Sequence, residues 1–343
     1  MLHVQDSPYI KTIHYENADD FIKAISYKGK LYELFDKHYI FRGHSTDKYI
    51  LLPTALRGNL VLENTINFES LSDEEQGKLA ILSETELGQI QQEYKLLQDF
   101  FWSCDTCGLY IPHIESLRNS FIPGIDVKQL ILASKWLPRK YWELAALAQH
   151  HSVKTRLLDW THDINVALYF ATKGVYYDPK EKIDTFKRIK AFRKGDINPP
   201  KHNMEIWALD IGVVMVKPNE VPLHIIQPCY YKNVNLNAQK GVLTFWDAFY
   251  PGLPDKNVKP DFGLIVDRKS LDKKLDSYLR EIKAKERTYL YQITIPQDAA
   301  SDIYSHIEKM GYNASTIFPG YDGVAKYLKE HLEIHKKGKK SAN

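Results

Sequence analysis

The chain has 343 residues, 46 Lys+Arg against 43 Asp+Glu for a net charge of +3, 44% hydrophobic residues and 22 tyrosines. This composition excludes collagen-like, disordered and disulfide-scaffold proteins, and the length excludes a mini-protein too short to bury a core. Near-neutrality offers no general attraction to nucleic acid or anionic membrane, so any such role rests on local patches.

Three cysteines are too few for a disulfide framework and fit a reducing compartment. The start of the chain has no basic-then-apolar leader pattern, and no run of about 18 apolar residues occurs. The expectation is a cytoplasmic protein that does not cross a membrane.

In chain order, Ala18 to Ile25 reads as an amphipathic helix, followed by a short helical stretch and a strand over His38 to Phe41, rich in aromatic and β-branched residues. Residues 72–122 form a Glu-, Gln- and Leu-rich segment, expected to be a helical insertion or subdomain, with long helices from about Ser72 to Trp102. A helix is expected over about Lys140 to His150. After Asp159-Trp160, Thr161 is a plausible N-cap for a helix whose Ile164, Ala167, Leu168 and Ala171 make a buried stripe.

The second half is richer in strands. Ile206 to Val216 and Thr288 to Ile295 are the strongest, with Leu223 to Ile226, Val242 to Phe245 and Gly263 to Val266 weaker, and Leu271 to Ile282 makes an amphipathic helix. Helices first and strands later predict an α+β fold with an N-terminal helical half and a mixed or split sheet. Residues 179–203 carry eight Lys/Arg against three Asp/Glu and read as a basic loop; 335–343 read as a basic flexible tail.

No GxG, GxxxxGK[ST], HExxH or GxSxG occurs, which removes the best evidence for several enzyme classes. Cys104-x-x-Cys107 with His113 offers three potential metal ligands where a structural tetrahedral site needs four, so no metal site is expected. The informative feature is polar residues in core-like surroundings. Arg42, at the end of an apolar strand and followed by Gly43-His44, must meet an anion, because a desolvated guanidinium is costly unless paired. Asp159 and Asp322 are the candidate partners. Arg156 and Asp159, three apart, read as an ion pair fixing a turn. Tyr169 either lines a pocket or packs, and Asp322 is either a turn residue or an acid.

The segments Phe41-Arg42-Gly43, Ala148-Gln149-His150, Thr155-Arg156-Leu157-Leu158-Asp159-Trp160-Thr161, Ala167 to Ala171 and Phe318-Pro319-Gly320-Tyr321-Asp322-Gly323 resemble the FRG-domain family. With Asn237 to Gly241 as an intermediate element, the resemblance spans about Ile25 to Glu330 and implies a single FRG-type domain over 1–343. The family is discussed near bacterial and phage defence and toxin loci.

A second resemblance is to the layout of NAD-dependent ADP-ribosyltransferases: a strand ending in a basic residue plus Gly, a Tyr-Phe-Ala helix and a distal acid. It implies NAD as co-substrate, with Arg42 on the pyrophosphate and counted with Asp322 as catalytic, Gly43 and His44 in the cofactor-binding set, Tyr169 or Tyr321 stacking on nicotinamide, and Asp322 as the acid. Gln149, Arg156 and Asp159 are included in the cofactor-binding set. The acceptor would be protein or nucleic acid. The competing reading is a non-catalytic module that binds nucleic acid or protein through the basic loop.

Overall fold

The computed structural model describes residues 7–35, 38–60, 72–74, 76–77, 84–118, 135–177, 202–217, 220–231, 233–249 and 265–341. Its centre is a seven-stranded mixed sheet. The strands are β1 (Ile10–His14), β2 (Tyr39–His44), β4 (Leu158–Thr161), β5 (Asn203–Asp210), β6 (Leu223–Ile226), β7 (Gly241–Trp246) and β9 (Leu290–Pro296), in spatial order β1-β9-β5-β2-β4-β7-β6. Only the β1–β9 pair is parallel. A separate two-stranded ribbon joins β3 (Lys135–Trp136) to β8 (Ala248–Phe249).

The fold is α+β, and the sheet takes strands from both halves of the chain. Helices α1 (Ala18–Ile25), α6 (Ile164–Tyr177) and α9 (Ala300–Lys309) cover one face, burying Phe21, Leu168 and Ile303 against Ile206, Ile293 and Ile295. On the other face, α8 (Leu271–Glu281) inserts Leu275 and Leu279 over Ile40, Leu209 and Leu290. Strand β5 is covered from both sides, which explains its nearly continuous apolar run. A third cluster forms where α3 (Glu86–Thr106) and α5 (Trp142–His150) pack together, burying Phe101 and Leu144 with Phe245 of β7.

The strand expected over 206–216 ends at Asp210, whose carboxylate accepts the Gly212 N–H at 2.7 Å and turns the chain into a 3-10 helix. Helix α3 starts at Glu86 because the Thr85 hydroxyl accepts the Gly88 N–H at 3.1 Å. At α6 the side-chain cap is Asp163, which takes the Asn165 N–H, rather than the expected Thr161. The backbone of the basic tail continues α11 (Tyr321–Ser341), which follows α10 (Ala314–Ile317). The loop expected over 179–203 lies outside the described residues except for its last two, which lead into β5. Among the described residues no helix is long and apolar enough to cross a membrane.

Candidate functional site

The Phe-Arg-Gly triplet of β2 does three different jobs. Phe41 faces the helix-covered core. Gly43 lies where α6 comes closest: a Cβ there would stand 2.0 Å from the Ala167 carbonyl oxygen, so only glycine fits without moving the helix. Gly43→Ala should therefore lower stability by about 1–3 kcal/mol through overpacking; a urea midpoint equal to that of the parent chain would contradict this.

Arg42 fills a gap in the sheet. Strands β2 and β4 are paired at Phe41–Thr161, and the ladder does not continue toward Gly43 and Asp159. There the Arg42 Nη1 donates to the Asp159 carbonyl at 2.6 Å, while its Nε donates to His44 Nε2 at 3.1 Å. Its partner is thus the backbone of Asp159 first; the Asp159 carboxylate stands 3.8 Å away.

The Thr155–Thr161 segment also divides its labour. The Thr155 hydroxyl donates to Gln149 Oε1 at 2.6 Å, which orients the amide so that Gln149 Nε2 donates to the Asp159 carboxylate at 2.9 Å. Trp160 turns into the opposite core, its indole N–H on the Thr244 hydroxyl at 2.8 Å. Thr161 donates to the Gln239 carbonyl at 2.7 Å. Alternation along β4 thus leaves Asp159, 61% exposed at its side chain, between two buried neighbours.

Arg156 does not pair with Asp159. It is buried and reaches Glu93 at 2.9 Å and Glu86 at 2.7 Å, both on α3. Glu93 also accepts the Trp136 indole N–H at 2.6 Å and the Gln89 amide at 2.8 Å. Burial alone would lower the Arg156 pKa, but the two carboxylates outweigh it and raise it. Arg156 is a tie between the motif and α3, removed from the cleft by its own burial.

Three further residues of the expected set stand away from Arg42. Tyr169 is fully buried on α6, packed near Tyr304 and Phe318, with its hydroxyl on Glu330 at 2.9 Å. Tyr321 is 96% exposed at the start of α11. Asp322, also exposed, lies in the first turn of that helix, where a negative charge complements the helix dipole. Its neighbour Gly323 is required because a Cβ would stand 1.7 Å from the Phe318 carbonyl. None of the three lines the cleft described next.

Arg42, Gly43, Gln149 and Asp159 converge on a cleft of about 400 Å³. His150, Thr161, Phe170, Asn235, Gln239 and Phe318 complete its polar and aromatic walls. Phe170 and Phe318 meet edge to face with centroids 6.1 Å apart. Phe170 lies in the Tyr-Phe-Ala triplet, Gln239 in the intermediate element and Phe318 in the closing element; it is the neighbours of the residues singled out in those motifs that reach the cleft. Among the described residues no cluster of His, Cys, Asp and Glu has the arrangement to hold a metal ion.

Behind Arg42 sits a buried acid. His44 Nδ1 lies 3.6 Å from Glu205, which accepts from Gln292 at 2.6 Å and from the Trp207 indole at 3.1 Å. Burial pushes the Glu205 carboxyl up to about 7, the two hydrogen bonds acting against it. Burial, then the charges of Arg42 and Arg57, hold the His44 imidazole well below its usual value. His44 is thereby a neutral acceptor for Arg42 at neutral pH.

The two shifts have opposite consequences. The His44 contribution to stability falls away as pH drops below about 6.5, whereas that of Glu205 is complete below its unfolded value and is lost as pH rises through about 7. Between pH 6.5 and 8 Glu205 dominates and should remove about 1 kcal/mol. Glu205→Gln should flatten that interval in urea titrations at several pH values; an unchanged slope would assign the loss to other groups.

Comparison with known proteins places the site in a family context. The family model described as the FRG domain matches residues 37–179, a span holding Arg42, Gly43, Gln149, Asp159 and Phe170. Neither the curated proteins nor the solved structures contain a match to the chain.

Proposed function

We propose, from the match of residues 37–179 to the FRG-domain model and the geometry of the site, that the cleft at the β2–β4 gap binds NAD and cleaves its nicotinamide–ribose bond, passing ADP-ribose to an acceptor. The observation that carries this reading is the convergence of Arg42, Asp159 and Gln149 on one cleft with an aromatic wall. A guanidinium has five N–H donors. His44 and the Asp159 carbonyl engage two of its nitrogens, so Arg42 retains capacity for a phosphate oxygen.

When the C1′–N bond breaks, its electron pair leaves with neutral nicotinamide and positive charge develops on the ribose as an oxocarbenium ion. A fixed carboxylate beside that carbon stabilises the charge. Asp159 is assigned that role because it lines the cleft with its orientation set by Gln149, which Thr155 sets in turn. The Phe170–Phe318 corner supplies apolar surface for the nicotinamide ring. In this reading the acid is Asp159 rather than Asp322, whose side chain points to solvent on another element.

The test is direct. Purified chain is incubated with NAD, with and without a cell extract as a source of acceptor, and nicotinamide and transferred label are measured. Time-dependent nicotinamide release supports the reading. Its absence in both arms, from chain shown to be folded, overturns it and leaves a binding module.

A further inference from the structure

The cleft holds one titratable group that the proposed bond cleavage leaves idle. His150 ends α5, next to Gln149, and lines the cleft together with Asp159. It also lines a second cavity of about 410 Å³, as does Asn235, so the two spaces meet at these side chains. The imidazole is half-buried and braced by other rings: it meets His151 edge to face with centroids 5.2 Å apart, and His151 stacks on Phe100 of α3 at 6.4 Å. At the same divide, Asn235 Oδ1 is buried and, among the described residues, accepts no hydrogen bond.

We infer that His150 is the general base of the transfer step, taking the proton of the attacking acceptor while Asp159 faces the positive charge on the ribose. The inference rests on the reading that the cleft cleaves NAD. As the C1′–N bond breaks and its electron pair leaves with nicotinamide, a lone pair of the acceptor forms the new bond to C1′. The acceptor's proton passes to His150, which then releases it to water, so NAD and acceptor become nicotinamide, ADP-ribosylated acceptor and one proton. A base must be placed beside the reacting groups and must be unprotonated. Its position at the junction gives access from the NAD side and from the second cavity, along which the acceptor can approach. Burial, then the neighbouring His151, lower the His150 pKa, with the charge of Asp159 acting against them, so the imidazole is neutral at pH 7. Among the described residues, the other titratable groups lining the two spaces are Arg42 on the cleft side and Glu143, Tyr110, Tyr231 and Cys229 on the other. A buried oxygen without a donor is costly. An acceptor atom bearing two hydrogens, water or an NH2 group, would donate one to Asn235 Oδ1 and give the other to His150.

Nicotinamide release by the full chain, followed from about pH 5 to 8 with and without cell extract, tests this beside calorimetric NAD affinities. Wild type should lose rate as pH falls through a value below the usual 6.5 or so of imidazole, because a protonated ring accepts no proton. His150→Gln should release nicotinamide about 10²–10⁴-fold more slowly and without that acid-side loss, at unchanged NAD affinity. Unchanged affinity also certifies that the variant folds. A wild type with no acid-side loss, or a His150→Gln chain that keeps the loss or the wild-type rate, overturns the inference while NAD cleavage stands. A variant that no longer binds NAD overturns it too, since His150 would then hold the ligand or the fold. If the wild type releases no nicotinamide in either arm, the cleavage reading fails and takes this inference with it.

Discussion

Replacing Arg156 with methionine should destabilise the protein by about 3–5 kcal/mol, the range for removing one partner of a buried charge cluster. That is a large part of the 5–15 kcal/mol typical of a folded domain, so the variant is expected to unfold at far lower urea or to accumulate as aggregate. The reason lies in what remains. Glu86 and Glu93 are both buried, and Arg156 is their charge partner at 2.7 and 2.9 Å. Without it, two carboxylates stay in low dielectric with the Trp136 indole, the Gln89 amide, the Asp267 N–H and the charge of Lys274 as the partial compensation. The variant that also carries Glu86→Gln and Glu93→Gln should recover much of the loss, because the desolvation penalty of unpaired charge is gone. A single Arg156→Met chain that unfolds within 1 kcal/mol of wild type would show that the cluster does not hold α3 to β4.

The contrast between Arg156 and Arg42 shows what a linear sequence discloses. Both arginines stand out as charged residues in core-like surroundings, and both are engaged as desolvation requires. Arg42 was readable, down to Asp159 as one of two candidate partners, since strand, glycine and acid all lie in short recognisable motifs. Arg156 was misassigned to Asp159 because a spacing of three looks local. Its true partners lie 63 and 70 residues earlier in the chain, in a segment that reads as an insertion.

The same limit affected the strands and the aromatics. Strand β4 is only four residues long, bounded by a turn and a helix, and its pattern is intelligible only with β2 and β7 beside it. Strand β1 is short and at the sheet edge, with two of its five residues strongly polar or charged, so alternation is weak. Tyr169 and Phe170 are adjacent on α6, yet a helix turns about 100° per residue, which sends one into the core against Glu330 and the other to the cleft. Helix phase alone could not say which, because the location of the cleft depends on the β2–β4 gap.

Asp159→Asn should lower nicotinamide release by about 10²–10³-fold in kcat, the scale on which removing one preorganised electrostatic contact acts, with KM little changed. The substitution is nearly isosteric, and the side chain is 61% exposed, so the fold has no buried charge to lose. The asparagine oxygen can still accept from Gln149, which keeps the geometry while removing the negative charge. Asp322→Asn is the matched control. Its side chain is exposed in the first turn of α11 and does not line the cleft, so activity should stay within about two-fold of wild type. Unfolding curves that coincide for all three chains would make the comparison one of chemistry alone. A full-activity Asp159→Asn chain beside an inactive Asp322→Asn chain would reverse the assignment of the acid. It would require α11 to bring its first turn onto the β2–β4 cleft when ligand binds, since the two carboxylates now stand on separate elements with Phe318 of the intervening turn lining the cleft instead.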